Sequence, residues 1–360
     1  MDRFVNHLWG DMTQKTPSGR LSTATVSLVL ESPGRLAHRS LPVHEPAPGH
    51  CLVAVEHVGL CGTDLGFYTG TSSYLHTGRK SYPFVLGHEW SGEIVLTGEG
   101  VTGLREGDRV SGHNFRRCGS CAVCAAGGTF HCPYRTEMGV VGEEPGAASE
   151  YLSVPAETVH RIPDGVDNRA AALLEPCSAS VHALRRLAIS GADSVAILGA
   201  GTLGLAAAQL AVSRGASVTV LDPNPRLASL AAELGTDRVA APDEVRSGNY
   251  DVVVEASGAS EAVRQAIRLC GQNARLAQLG TPHGPVDAVP VDEAVGKNLV
   301  THNVLSGADH WPQLLEEVAS GNLRLEPMID RAFSFHEADK AFERLNDSGR
   351  DRPKVLLNIR

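Results

Sequence analysis

The sequence predicts an α/β protein of two domains, one β-rich and one built on a doubly wound parallel sheet. Three observations carry this. At 360 residues the chain exceeds what one hydrophobic core usually serves. From Thr25 to about Pro155 short β-branched runs are punctuated by Gly, Pro and Asp, as in "CLVAVEHVGLCG", "SGEIVLTGEG" and "EYLSVPAETVHRIP". From Asn168 strand and helix patterns alternate.

In chain order, residues 1–20 show no period and read as an N-terminal arm, with the β-rich domain over 21–164. Within 165–309, "RAAALLEPCSASVHALRRLAI" has helical spacing and "SVAILG", "TLGLAAAQLAVSRG" and "SVTVLD" read as strand, helix and strand. "RLASLAAELG", "YDVVVEAS", "AVRQAIRLC" and "ARLAQLG" continue the cadence, which predicts a parallel sheet covered on both faces. It ends near Val304. Residues 310–360 hold one more helix, "WPQLLEEVASG", and a last strand-like run, "PKVLLNIR".

Composition narrows the function classes. A net charge of −9 argues against nucleic acid as a main partner, because phosphate binding needs a basic face. The opening residues lack the apolar core of a secretory signal. The most membrane-like run, residues 194–212, is interrupted by three glycines. A cytoplasmic protein is expected, and thiols there stay reduced.

Glycines at 199, 201 and 204 follow the strand "SVAIL" and open the next helix. That context suits a dinucleotide fingerprint of Gly199, Gly201, Thr202, Leu203 and Gly204, with a tight turn and a pyrophosphate at the helix N-terminus. The following strand ends at Asp222, about twenty residues on, where a carboxylate binds ribose hydroxyls and repels a 2′-phosphate. NAD is therefore expected rather than NADP, and Arg226 is expected to pack near the adenine.

Four of the eight cysteines lie in "CGSCAVCAAGGTFHC": Cys118, Cys121, Cys124 and Cys132. Four thiolates close a tetrahedral shell around Zn²⁺ and leave no position for substrate, so this site is structural. Cys51 and Cys270 sit in apolar runs and read as core, and Cys177 reads as a buried thiol or a rival ligand. Further metal-ligand types occur at Cys61 in "GLCGTD", at His88 and Glu89 in "LGHEWSG", and at Glu175 in "LLEPCSAS". Thiol, imidazole and carboxylate with one exchangeable position make the catalytic kind of zinc site.

The order of "GLCGTD", "GHEWSG", the four-cysteine loop, "EPCSASVHAL" and "ILGAGTLG" resembles the zinc-dependent medium-chain dehydrogenase/reductase family over nearly all of residues 21–360. Glu175 resembles the polyol and threonine dehydrogenase branch, where simple alcohol dehydrogenases have Cys. The resemblance implies a GroES-like β-barrel catalytic domain, completed by residues 310–360, and a Rossmann domain between. It implies two zinc ions per subunit, a structural one and a catalytic one on Cys61, His88, Glu89 and Glu175. Which of the two carboxylates binds directly stays open. Thr63 matches the hydroxyl that begins a proton relay, and Gly66 stands where many relatives have a His. Asp64 is expected to cap or brace the turn. Tyr68, or Phe67, falls where relatives line the substrate cleft. The polar loop 71–82 suits a hydroxylated substrate or simply solvent, and Arg116 and Arg117 read as solvated or as subunit contacts.

The function implied is NAD-linked oxidation of a secondary alcohol on a polyol, cyclitol or amino-alcohol, an aminocyclitol among them. L-Threonine 3-dehydrogenase is the alternative, and a non-catalytic NAD- and zinc-binding protein the alternative of another class. A homodimer or homotetramer is expected.

Overall fold

The computed structural model describes residues 24–128, 131–282 and 284–360, and the arm expected over 1–20 lies outside them. The punctuated first third becomes strands. These are β1 (Ala24–Ser32), β2 (Arg35–Pro42) and β3 (His50–Leu60), then helix α1 (Gly62–Thr69) and β4 (Phe84–Val85). After them come β5 (Glu89–Thr97), β6 (Arg109–Gly112), β7 (Phe115–Arg116), β8 (Thr136–Glu137), β9 (Tyr151–Pro155) and β10 (Val159–Arg161).

The second third alternates as its periodicity requires: α2 (Leu174–Leu187), β11 (Ser194–Leu198), α3 (Thr202–Ser213), β12 (Ser217–Leu221), α4 (Pro225–Glu233) and β13 (Arg238–Ala240). It continues through β14 (Tyr250–Glu255), α5 (Ser260–Leu269), β15 (Cys270–Gln278), α6 (Val291–Gly296) and β16 (Val300–Asn303). The chain closes with α7 (Trp311–Ala319), β17 (Ile329–Ser334), α8 (Ala338–Asn346) and β18 (Lys354–Asn358). The helix expected over 169–189 is split, with one turn at 168–171 and a fresh start at Leu174. Pro176 has no N–H to donate and is tolerated only in a first turn, which fixes where α2 begins.

The six strands β13-β12-β11-β14-β15-β16 form one parallel sheet. Strand order reverses between β11 and β14, which opens a crevice at their carboxyl ends. Buried Val, Ile and Leu of these strands pack against the Ala-rich face of α3 and against α2. Gly199 has φ +98°, and a Cβ on Gly204 would overlap the Gly199 carbonyl, so both positions require glycine.

The second large sheet runs β10-β6-β5-β3-β18-β17. One edge of β3 pairs with β5, while the other is shared between β9 near its start and β18 near its end. The last strand of the chain is thus internal to the sheet formed by the first residues. A separate core holds these strands together with α8. Cys51 and Cys270 are buried as expected. Among the described residues no helix is long and apolar enough to cross a membrane.

Candidate active site and metal centres

Cys61 ends β3 and caps α1. Its Sγ accepts from the Thr63 amide at 3.2 Å, and the Asp64 carboxylate accepts from the Cys61 amide at 3.0 Å. This reciprocal cap is the brace expected of Asp64. It also fixes the thiol on the helix N-terminus, where burial raises its pKa and His88 opposes that rise. His88 precedes β5, and its Nε2 lies 3.3 Å from Cys61 Sγ. Its Nδ1 lies 3.6 Å from Asp64 Oδ1. Burial opposes a charge on His88, yet the Cys61 and Asp64 groups beside it hold its pKa well above the ordinary imidazole value. Asp64 facing the far nitrogen is the feature the sequence did not reveal; a carboxylate there orients a ligating imidazole and sets its tautomer.

Glu175 enters from the first turn of α2, where its carboxylate, the His88 imidazole and the Glu89 carboxylate offer ligand atoms within 4.8 Å of one another. Burial pushes its pKa up to about 7, reinforced by Glu89 and opposed by His88 and Lys354. Glu89 is already engaged. Lys354 Nζ donates to its two oxygens at 2.8 and 2.6 Å, with the two side chains 3% and 1% exposed, and also to the Leu60 carbonyl at 3.3 Å. Gly59 faces Glu89 across β3 and β5, and any side chain there would occupy the space of the carboxylate. Cys177 is fully buried, and that burial drives its pKa up strongly.

The donor set fits a zinc ion. Two groups share His88, the thiol of Cys61 with Asp64 on one side and the carboxylates of Glu89 and Glu175 on the other. Asp64 Oδ1 and His88 Nδ1 have no hydrogen-bond partner, and the 3.3 Å separation of sulfur and nitrogen is close to the ~3.5 Å edge of a tetrahedral zinc shell. Cys118, Cys121, Cys124 and Cys132 also converge. Their sulfurs lie 3.5 to 3.8 Å apart, against an edge of ~3.8 Å for four thiolates on zinc.

At the cofactor crevice, Asp222 Oδ2 accepts from the Ala200 amide at 2.6 Å and Oδ1 from the Asn224 amide at 2.8 Å. The carboxylate is thereby tied to the glycine-rich turn, and its pKa is raised by burial.

Tyr68 stacks on Phe342 of α8 at 4.4 Å and is partly buried. Phe67 is core. Arg226 donates to the Gly349 carbonyl and to Asp351, each at 2.9 Å, with its side chain exposed. One expectation changes. Arg116 is not solvated: it is 9% exposed, donates to the His113 carbonyl and to Thr158, and pairs with Glu144. Arg117 pairs with Glu157 at the surface. In the polar loop, Lys80 is buried, donating to the Gly142 carbonyl at 2.8 Å, and burial brings its pKa down to about 8.

Asn114 went unnoticed in the sequence. It is 4% exposed and its Oδ1 has no partner. It lies between β6 and β7, and its backbone carbonyl accepts from the Met138 amide at 2.9 Å. The next residue, Phe115, packs on Ala308 of the cofactor-binding part.

The model for the alcohol dehydrogenase GroES-like domain matches residues 47–164, and that for zinc-binding dehydrogenase matches 202–320. An L-threonine 3-dehydrogenase of Pectobacterium carotovorum is 33% identical over 333 residues, covering 88% of this chain and 94% of that one. A sorbitol dehydrogenase of Halalkalibacterium halodurans is 32% identical, covering 87% and 93%. An alcohol dehydrogenase from E. coli CFT073 in complex with NADH superposes with a TM-score of 0.83 at 26% identity, covering 94% and 100%. A putative zinc-binding dehydrogenase of Sinorhizobium meliloti bound to NADP gives 0.85 at 28%, with the same coverage. With both halves matched and curated relatives aligned over most of its length, the chain belongs to the zinc-dependent medium-chain dehydrogenases, oxidoreductases that work with a nicotinamide dinucleotide.

Proposed function

We propose that the protein oxidises a secondary alcohol of a polyol, cyclitol or amino-alcohol to a ketone, with NAD as hydride acceptor. The observation that carries this is Glu175, a half-buried carboxylate where simple alcohol dehydrogenases have a thiol, beside His88. Relatives named for sorbitol and threonine support it.

In this reading Cys61, His88 and Glu175 hold the catalytic zinc, which when bound lowers the pKa of the substrate hydroxyl. Asp64 keeps the proton of His88 on Nδ1 and so leaves Nε2 free to ligate. Lys354 holds both oxygens of Glu89 beside the ligands rather than among them. Thr63 starts the path by which the substrate proton leaves, and with Gly66 in place of a His that path continues through water. Asp222 supports NAD over NADP, since a 2′-phosphate would approach a carboxylate held by two backbone amides. Cys118, Cys121, Cys124 and Cys132 hold the structural zinc. A homo-oligomer is supported by β16, an edge strand of the parallel sheet, flanked by exposed Val291, Val295 and Val300.

The test is NADH formation by zinc-loaded protein on common polyols, threonine, aminocyclitols and simple secondary alcohols, with NADP as a control. Turnover confined to a polyhydroxy or amino-alcohol member supports the proposal. Turnover of simple alcohols alone, or preference for NADP, refutes the corresponding part.

A further inference from the structure

Glu255 is a carboxylate with no exposed surface, at the carboxyl end of β14. It lies outside both metal sites. Its neighbour in the sheet is Leu198 of β11, the residue before Gly199. It therefore stands at the reversal of strand order, where open parallel sheets bind dinucleotides.

All its side-chain hydrogen bonds fall on one oxygen. Oε1 accepts from the Ser257 amide at 2.8 Å, from Ser257 Oγ at 2.6 Å and from the Gly258 amide at 2.9 Å. The other oxygen, Oε2, is buried with no partner and faces Gly280, where an added Cβ would lie 2.7 Å from it. The same Cβ would overlap the Gly258 amide. A buried carboxylate with only one oxygen satisfied is costly, and its pKa is raised by that burial. What it obtains is a fixed turn at 256–259.

That turn is one wall of the crevice. A Cβ on Gly199 would lie 3.0 Å from Ser257 Cβ and 3.1 Å from its amide nitrogen, while Ser257 itself is exposed. The width between the fingerprint turn and the facing wall is thus set by where Ser257 is held. We infer that Glu255 is a positioning residue for the nicotinamide dinucleotide, acting through the turn of Ser257 and Gly258 without touching the cofactor. This rests on the cofactor lying at the strand-order reversal.

The test is NADH binding by fluorescence titration, with kcat, KM for alcohol and zinc content measured in parallel on holoenzyme. For Glu255→Ala the Kd for NADH should rise about tenfold or more, since sub-ångström placement of groups at a site carries effects of this size. Zinc content should not change, and the KM for alcohol at saturating cofactor should change less than twofold. Glu255→Gln keeps a carbonyl acceptor for the three donors, and its Kd should stay within about threefold of wild type. Gly280→Ala moves the same turn while leaving the carboxylate intact, and should weaken NADH as Glu255→Ala does. It decides the matter if Glu255→Ala fails to fold. Wild-type affinity in Gly280→Ala or in folded Glu255→Ala overturns the inference, as does an equal loss for alcohol and cofactor. Absence of NADH binding by the wild type would overturn the cofactor assignment itself.

Discussion

Replacing Lys354 by Met should destabilise the catalytic half well beyond the effect of an ordinary substitution. The side chain is 3% exposed and its ammonium holds both oxygens of Glu89, itself 1% exposed. Methionine fills similar volume, so cavity formation is a minor part of the loss. What remains is a carboxylate buried near Glu175 without its counter-charge, and breaking such a pair on one side costs about 3–5 kcal/mol. At about 2–4 °C per kcal/mol for a unit of this size, the thermal midpoint of the catalytic half should fall by roughly 10 °C. Two domains need not unfold together, so the transition should be followed by a probe in the catalytic half, such as Trp90 fluorescence, with the cofactor part monitored separately. The double variant Lys354→Met with Glu89→Leu replaces the pair by apolar groups and should be more stable than Lys354→Met alone. A shift below about 2 °C in Lys354→Met, or a double variant that loses the sum of the singles, would refute the reasoning.

Cys61→Ser should lose one of two zinc equivalents and turnover together, with a thermal midpoint near wild type, as metal analysis and calorimetry would show. Cys121→Ser should lose the other zinc and lower the midpoint, because a closed thiolate site contributes folding energy directly. Burial, with Arg116 and His160 nearby, depresses the pKa of His113 to about 3. The unfolded chain therefore binds a proton at His113 that the folded chain refuses, and stability falls as pH drops from about 6.5 towards 3, by about 2 kcal/mol at pH 5. Urea unfolding of wild type and His113→Gln across that range should show the acid slope reduced in the variant; equal slopes would refute this.

The candidate metal ligands and the glycine-rich turn were legible because each is local. A cysteine two residues before a threonine, or glycines after an apolar strand, carry their geometry within a few positions. The residues that complete the sites were not, because sheet closure brings them in from far away. Lys354 is 265 residues from Glu89, and its only sequence signal is a lysine inside "PKVLLNIR", a run otherwise apolar, in a chain with five lysines. Asn114 and Glu255 look like ordinary polar residues at strand ends, and only an unpartnered oxygen sets them apart. Arg116 misleads in the opposite sense. A pair of arginines beside a metal loop suggests solvent, yet the first lies beneath β10 and the loop before it.

Because β18 lies between β3 and β17, the chain cannot finish its first domain until β18 has been made. During synthesis the parallel sheet is complete in sequence by Asn303 and free to fold as a unit. The earlier strands must wait with one edge of β3 open and Glu89 without a counter-charge. A chain that stops before Lys354 would then have a sound cofactor half and a metal half that is an exposed edge, a natural substrate for proteolysis. The ion pair between Lys354 and Glu89 can form only once β18 has been made.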